Sequence, residues 1–188
     1  MGRLCQITLR NPMGVPGRRK AMRLIFALTA LGFLAACTGK PSLDDPQLST
    51  KELELEEFFD GQLVAYGQFQ DIFGTVRRRF EVDIAGDWDG ERLRLVEDFV
   101  YGDGATEQRI WTLTQTGPES WEGTAPGGED VATGEERGDT FNWVYTIDLP
   151  IPSADGTVDT LNVTFDDWMW LLSEDRLLNI AYVKRFGV

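Results

Sequence analysis

The stretch Phe141-Asn142-Trp143-Val144-Tyr145-Thr146-Ile147-Asp148-Leu149 decides the fold, because a large apolar side chain occupies every second position. Successive side chains of a β-strand point to opposite faces of a sheet, so this period of two predicts a half-buried strand. The same alternation recurs along most of the chain, at residues 63–69, 76–84, 93–101, 109–113, 161–169 and 178–182.

Short segments rich in Asp and Gly separate these stretches, namely Asp60-Gly61, residues 87–90, residues 102–104, Gly117-Pro118 and Asp155-Gly156. Such turns connect antiparallel hairpins, and we expect about eight to ten strands with no alternation of strands and helices. The sequence therefore predicts one all-β domain over residues 52–188. Its expected form is a single antiparallel, closed or nearly closed barrel of the lipocalin-like (calycin) type, with a β-sandwich as the alternative. Lys51–Phe59 is either a brief helix or an extended approach to the first strand.

Residues 1–36 have the pattern of a secretory signal peptide: six basic residues, no acidic residue, then an apolar run that ends in Leu34-Ala35-Ala36-Cys37. The apolar run is about 13 residues long, shorter than the roughly 20 that a membrane-spanning helix needs. The ending resembles the bacterial lipobox, so we expect cleavage before Cys37 and diacylation of that cysteine. Met13 is the start codon that best fits the usual signal length. Thr38, in place of Asp, predicts an outer-membrane lipoprotein that faces the periplasm.

Residues 37–51 are predicted to form the lipidated tether, because they are polar and lack periodicity. Beyond the signal peptide the chain has twelve Lys and Arg against 31 Asp and Glu, a net charge of −19. Such a charge repels nucleic acid and anionic lipid headgroups. We therefore expect no nucleic-acid partner. We also expect the folded domain to be held away from the bilayer surface by its tether to the lipid on Cys37.

The chain contains no histidine, and its two cysteines are Cys5 and Cys37. This composition excludes histidine-based catalytic triads and histidine metal ligands, and it leaves no free thiol after lipidation. We therefore expect a protein that is not an enzyme and needs no cofactor or metal. Acid–base chemistry by two carboxyls from different strands, such as Glu97 and Asp167, is the enzymatic alternative that remains.

Three ionisable residues share the apolar parity of their strands: Glu97, Arg109 and Asp167. A buried charge needs a partner or a ligand, because an isolated one is very costly. Two interpretations stay open, a structural ion pair or strand-end group at the barrel rim, and a polar end for an apolar ligand cavity. In the second interpretation the neighbouring Tyr101 and Trp168 complete the candidate ligand-binding residues.

Several blocks resemble the bacterial lipoproteins of the family called domain of unknown function 3833. They are residues 55–61, residues 67–74, Glu97-Asp98-Phe99-Val100-Tyr101 with Arg109-Ile110-Trp111, Phe141–Tyr145, Phe165-Asp166-Asp167-Trp168-Met169, and Lys184 with Phe186-Gly187. The resemblance covers most of residues 53–188. Pro126-Gly127-Gly128-Glu129-Asp130 departs from an Asp-Asp-Val stretch of the family, and relatives are expected to continue past Val188 into one more strand.

The resemblance implies location and fold more than activity, since the family has no established activity. Members of the family tend to be encoded near fatty-acid-modifying enzymes, and this proximity of the genes favours a role in lipid handling. We therefore expect an envelope lipoprotein that binds a fatty acid or another lipid in a barrel cavity. The alternative is a non-catalytic accessory lipoprotein that binds a protein partner.

Overall fold

The computed structural model describes residues 39–71, 73–128, 130–152 and 158–185, which form one short helix and nine strands. Cys37, Thr38 and the predicted signal peptide lie outside this part. The elements are α1 (Leu55–Phe59), β1 (Gly61–Gln70), β2 (Val76–Trp88), β3 (Arg92–Tyr101), β4 (Thr106–Gly117), β5 (Ser120–Thr124), β6 (Ala132–Arg137), β7 (Thr140–Pro152), β8 (Val158–Ser173) and β9 (Arg176–Arg185).

The strands form a single antiparallel sheet in which each strand pairs with its neighbours in sequence, from β1 to β9. The prediction of an all-β antiparallel fold is thus confirmed, and the decisive stretch lies within β7. The sheet curls strongly, because the rings of Trp111 in β4 and Tyr145 in β7 lie 4.9 Å apart although β5 and β6 separate their strands.

The predicted closure into a barrel is corrected by the topology. Within the part of the chain that the structure describes, β1 pairs with β2 and β9 pairs with β8, and no ladder joins β1 to β9. A closed barrel requires that ladder. The sheet is a half-barrel instead, and α1, which contacts β2 and β3, covers part of the concave face where no opposing strand does so.

The hydrophobic core lies on the concave face and consists of the odd-numbered residues of most strands, as the alternation predicted. Aromatic side chains dominate the centre of this core: Trp111, Trp121, Phe141, Trp143, Tyr145 and Phe165. Gly134 lies opposite Trp143, and a Cβ there would overlap the rings of Phe141 and Trp143. The missing side chain therefore gives the rings their space.

The segment before α1 is attached to the sheet, although the sequence predicted a tether. The amides of Leu48 and Ser49 donate to Asp139 Oδ2 at 2.6 and 2.8 Å, and the Leu53 amide donates to the Gly138 carbonyl at 2.8 Å. Ion pairs join Lys40 to Asp166, Asp44 to Arg137 and Lys51 to Glu174. Lys40 lies on β8, and residues 44–53 follow the turn between β6 and β7 before the chain enters the concave face.

The expected brief helix is present as the five residues of α1. Its end fits tightly against β2, since the Phe59 carbonyl oxygen occupies the space that a Cβ of Gly86 would need. None of the helices in the described ranges is long and apolar enough to cross a membrane.

Candidate functional site

A cluster of polar side chains lies on the concave face where β3 and β4 approach β7 and β8. The β3–β4 register places Glu97 opposite Arg109, and Glu107 opposite Phe99. On the other side, β8 contributes Asp167 and β7 contributes Tyr145, which touches Trp111 of β4. The curl of the sheet thus brings together groups that the chain order keeps far apart.

Arg109 is held by its own strand. Its Nη2 donates to Glu107 Oε1 at 2.8 Å, and its guanidinium lies 5.1 Å from the centre of the Phe99 ring. The Tyr101 hydroxyl donates to the other oxygen of Glu107 at 2.7 Å. The Arg109 side chain is only 13% exposed, so this is a largely buried ion pair with two hydrogen bonds on the carboxylate.

The charges around this pair shift the pKa values in opposite senses. Burial tends to raise the pKa of Glu107, but the hydrogen bonds from Tyr101 and Arg109 outweigh burial and lower it. Burial raises the pKa of Tyr101 strongly, and the bond to Glu107 adds to this. For Arg109, burial tends to lower the pKa, but Tyr145, Glu97 and Glu107 raise it above its usual value. Glu107 and Arg109 are therefore ionised and Tyr101 is neutral.

Glu97 makes no hydrogen bond to Arg109 in the part of the chain described, although the two residues are opposite each other. Burial desolvates its carboxyl and raises its pKa to about 7. The nearby Arg109 lowers that pKa and the nearby Asp167 raises it, but neither effect exceeds burial. The Glu97 carboxyl therefore titrates near neutral pH.

Asp167 of β8 is 6% exposed, and its Oδ1 has no hydrogen-bond partner among the described residues. Burial raises its pKa to about 7, while a hydrogen bond from the Tyr145 hydroxyl and the positive charge of Arg109 oppose this. Tyr145 is fixed by its ring, which stacks on Phe165 with 5.0 Å between centres. Asp167 thus presents one buried carboxyl oxygen, Oδ1, that has no donor among the described residues.

Four of the five predicted ligand-binding residues, Glu97, Tyr101, Arg109 and Asp167, lie on the concave face. The fifth, Trp168, follows Asp167 in the same strand and therefore points to the convex face, where it stacks on Trp170 with 6.4 Å between ring centres. It takes no part in the cluster. Asp166 also lies on the convex side, where Lys40 and Asn142 bind it.

The sequence interpretation missed Glu107 and Tyr145. Both share the inward parity that identified Arg109: Glu107 stands two residues before Arg109, and Tyr145 stands within the decisive stretch of β7. The alternation of their strands therefore already placed both side chains on the apolar face. The parity argument predicted a partner for Arg109 on another strand, Glu97 or Asp167, whereas the carboxylate that bonds it is Glu107 of the same strand.

A second buried carboxyl, Glu136 of β6, lies away from the cluster. It accepts a hydrogen bond from the Leu55 amide at 3.0 Å, and burial raises its pKa to about 7. This contact fixes the start of α1 and explains Glu136 as a structural residue.

Apolar side chains that remain partly exposed surround the cluster on the concave face: Phe69, Phe80, Phe99, Leu149, Leu161 and Met169. The described residues contain no group of three or more His, Cys, Asp or Glu side chains that could hold a metal ion. The arrangement offers apolar contact, one unpaired carboxyl oxygen and two carboxyls that titrate near neutrality. Such a surface is suited to binding an apolar molecule with a polar end.

A family model described as a protein of unknown function (DUF3833) matches residues 31–188. The chain belongs to the DUF3833 family. The match covers the whole half-barrel and confirms the resemblance seen in the residue blocks. No curated protein and no solved structure matches the chain. The activity of this DUF3833 domain must therefore be inferred from its own site.

Proposed function

We propose that this DUF3833 protein is an envelope lipoprotein, anchored through Cys37, whose half-barrel binds a fatty acid or another lipid. In this proposal the sheet is a lipocalin-like fold with one open side. The apolar part of the ligand lies against the partly exposed side chains of the concave face, such as Phe80 and Phe99, and its polar end reaches the cluster of Glu97, Arg109 and Asp167.

The observation that carries this proposal is the bare Oδ1 of Asp167, buried beside Tyr145 and Phe165. Buried polar atoms in folded proteins are nearly always hydrogen-bonded, and an exception needs a partner. A hydroxyl or a protonated carboxyl at the end of an apolar ligand supplies that donor. The partly exposed Phe80 and Phe99 beside the cluster supply contact for the apolar part.

The charges favour a ligand with an uncharged end. The charge of Arg109 is balanced by Glu107 at 2.8 Å. Arg78, which lies over the Tyr101 ring, is balanced by Asp103 at 2.9 Å. Within the described residues, an anionic group would therefore meet Glu97 and Asp167 without a free cation. Repulsion between like charges is strong where water is excluded. A hydroxylated lipid or a fatty acid in its protonated form fits the cluster better than an ionised fatty acid.

The location belongs to the same proposal. The ending Leu34-Ala35-Ala36-Cys37 supports lipid attachment, and the family match begins at residue 31 and so includes this cysteine. Thr38 supports delivery to the outer membrane, with the half-barrel in the periplasm.

The test is solvent extraction of the purified full-length lipoprotein followed by mass spectrometry, since extraction removes bound lipid and leaves acyl groups that are covalently attached. We expect one lipid class to copurify with the wild type and to be reduced several-fold in Asp167→Asn. The matched control is Trp168→Phe, the next residue on the opposite face, which should retain the lipid. Equal amounts in all three proteins, or none in any, would contradict the proposal.

The alternative, a protein-binding role, is favoured by a different observation on β1. This edge strand exposes Val64 and Tyr66 on the convex face, and the Tyr66 side chain is 77% exposed. Large exposed apolar groups at a sheet edge are typical of contact sites. Photocrosslinking from position 66 in intact cells tests this role. A discrete protein adduct that is absent when the photoreactive group stands at Glu122, an exposed residue of β5, would support it.

A further inference from the structure

The convex surface of β9 has an amphipathic order that differs from the acidic remainder of the molecule. Alternate residues of this strand place basic groups at both ends and apolar or aromatic groups between them: Arg176, Leu178, Ile180, Tyr182 and Lys184. Leu178 and Ile180 are 39% and 42% exposed. They lie opposite Trp170, which is partly exposed, and Trp168, which is buried, so the apolar strip extends from β9 onto β8 at Trp170.

Lys40, shortly after Cys37, lies on this same surface. Lys40 binds Asp166, which lies opposite Tyr182 in the β8–β9 register, and its Nζ is 6.0 Å from the centre of the Tyr182 ring. Lys40 is the third residue after Cys37, and three residues of fully extended chain span at most roughly 11 Å. A lipid on Cys37 therefore holds this face within about that distance of the membrane surface.

We propose that the convex face of β8 and β9, around Leu178, Ile180 and Tyr182, lies against the bilayer to which Cys37 is attached. This inference rests on the proposed lipid attachment. It gives the half-barrel a fixed orientation, whereas net charge alone predicted a body held away from the membrane.

The chemistry of the strip matches the headgroup region of a bilayer. Aromatic side chains are favoured at membrane interfaces, and long basic side chains extend toward the phosphates while their carbon chains stay on apolar surface. Lys40, Arg176 and Lys184 supply positive charge here, although the body carries a net charge of −19. Two acids lie in the β8–β9 turn beside the strip: Glu174 is bound by Lys51 at 2.7 Å, and Asp175 lies 4.0 Å from Arg176.

The experiment uses the lipidated full chain, in which Cys37 is capped and no other cysteine follows it. The Ile180→Cys variant then carries one fluorophore at one site. The matched control is Val64→Cys, an exposed convex-face residue of the opposite edge strand, which is 53% exposed. Each labelled protein is bound to vesicles of phosphatidylethanolamine and phosphatidylglycerol that contain nitroxide-labelled lipid.

We expect the nitroxide lipid to quench the label at position 180 at least threefold more than the label at position 64. Weak, equal quenching of both labels on fully bound protein would overturn the inference and leave the lipid attachment intact. Protein that stays in solution and has the mass of an unacylated chain would overturn the attachment itself. A label at position 180 that is shielded without lipid quenching, on protein of doubled mass, would assign this face to a second copy and also overturn the inference.

Discussion

At the scale of single residues, the cluster around Arg109 combines two kinds of carboxyl. Glu107 accepts hydrogen bonds from Arg109 and Tyr101, and is therefore kept ionised. Among the described residues Glu97 has no such donors and Asp167 has only the Tyr145 hydroxyl, and both carboxyls titrate near neutral pH. The Arg109 guanidinium thus forms a hydrogen-bonded ion pair with Glu107. It acts on Glu97 and Asp167 only through the electrostatic attraction of its charge. This division makes the contributions of the residues to stability separable by mutation.

We expect Arg109→Ala to destabilise the fold by about 3–5 kcal/mol, since removing one partner of a buried pair leaves the other uncompensated. The double variant Arg109→Ala with Glu107→Gln should recover part of this loss. The measurement is the free energy of unfolding from urea titration. Arg137→Ala is the matched control, because Arg137 pairs with the exposed Asp44 and should cost only about 0–1 kcal/mol. An equal effect of the two single substitutions would show that Arg109 is not buried as described.

Asp167→Asn should stabilise the protein more at pH 8 than at pH 5. The folded pKa of about 7 exceeds the usual 3.8, so the folded state keeps a proton that the unfolded state has lost. Stability from this group therefore falls as the pH rises from about 4 to 7. With about 1.4 kcal/mol per pKa unit, the difference between the two pH values should be about 2–3 kcal/mol.

Asp166→Asn provides the control of opposite sign. Burial tends to raise the pKa of Asp166, but the bonds from Lys40 and Asn142 lower it below the usual 3.8. Its contribution to stability is present above that value and is lost as the pH falls through the folded pKa. Urea titrations at pH 3 and pH 8 should therefore show a loss in Asp166→Asn that is larger at pH 8. The same pH trend in both variants would refute the assignment of the two faces.

At the scale of elements, α1 and β2 meet at a backbone contact. The Phe59 carbonyl oxygen lies against Gly86, where no side chain can be accommodated. Moving the carbonyl would shift the end of α1 and the start of β1 together. The position of the helix on the concave face thus depends on a single residue of β2.

Gly86→Ala should destabilise the fold by about 1–3 kcal/mol or more, because an added methyl group in a packed site forces the backbone to move. Gly102→Ala is the control, since its Cβ would lie 3.6 Å from the Arg79 carbonyl oxygen, an ordinary contact. Thermal unfolding followed by near-ultraviolet circular dichroism measures both variants. Similar melting temperatures for the two variants would mean that α1 can move away without loss.

The elements themselves were largely predictable from the sequence. Residues 141–149 alternate so regularly that β7 follows directly, and Asp89-Gly90 predicted the turn between β2 and β3. Short turns between neighbouring strands set the pairing register. The alternation of each strand then places Glu97, Arg109 and Asp167 on the concave face, as the sequence predicted. The open side was not predictable, because curvature depends on contacts such as Trp111 with Tyr145, which come from distant parts of the chain.

The bonds of the segment before α1 were also beyond prediction. Leu48, Ser49 and Leu53 donate backbone amides to residues 138 and 139, and backbone donors have no sequence signature. A polar stretch with two prolines has the composition of a linker whether or not its amides find partners.

At the scale of the whole molecule, the half-barrel leaves two edge strands that pair on one side only within the described ranges. The inferred membrane face lies at the β9 edge, and the exposed Val64 and Tyr66 lie at the β1 edge. A body held by β9 would present β1 and the concave site toward the periplasm. Orientation and access to the site are therefore linked.

Cys37→Ser should leave an unlipidated precursor that no longer partitions into the detergent phase. In the wild type, density-gradient fractions should show the protein with outer-membrane markers, since Thr38 lacks the inner-membrane retention signal. Both readouts come from the same cell fractionation. Wild-type protein in the inner-membrane fractions would contradict the predicted location, and a wild type without detergent-phase partitioning would contradict lipidation.

The order of the strands has a consequence for how the chain reaches its native state. Every ladder of the sheet joins neighbours in sequence, so the sheet has low contact order and should form rapidly, hairpin by hairpin. The bonds of the first described segment differ: Leu55 to Glu136 spans 81 residues, and Lys40 to Asp166 spans 126. Loop closure over such lengths has to wait for β6 and β8 to exist. We expect φ-values near zero for substitutions of Lys40 and Asp139, so that the residues nearest the proposed lipid attachment at Cys37 dock last in folding.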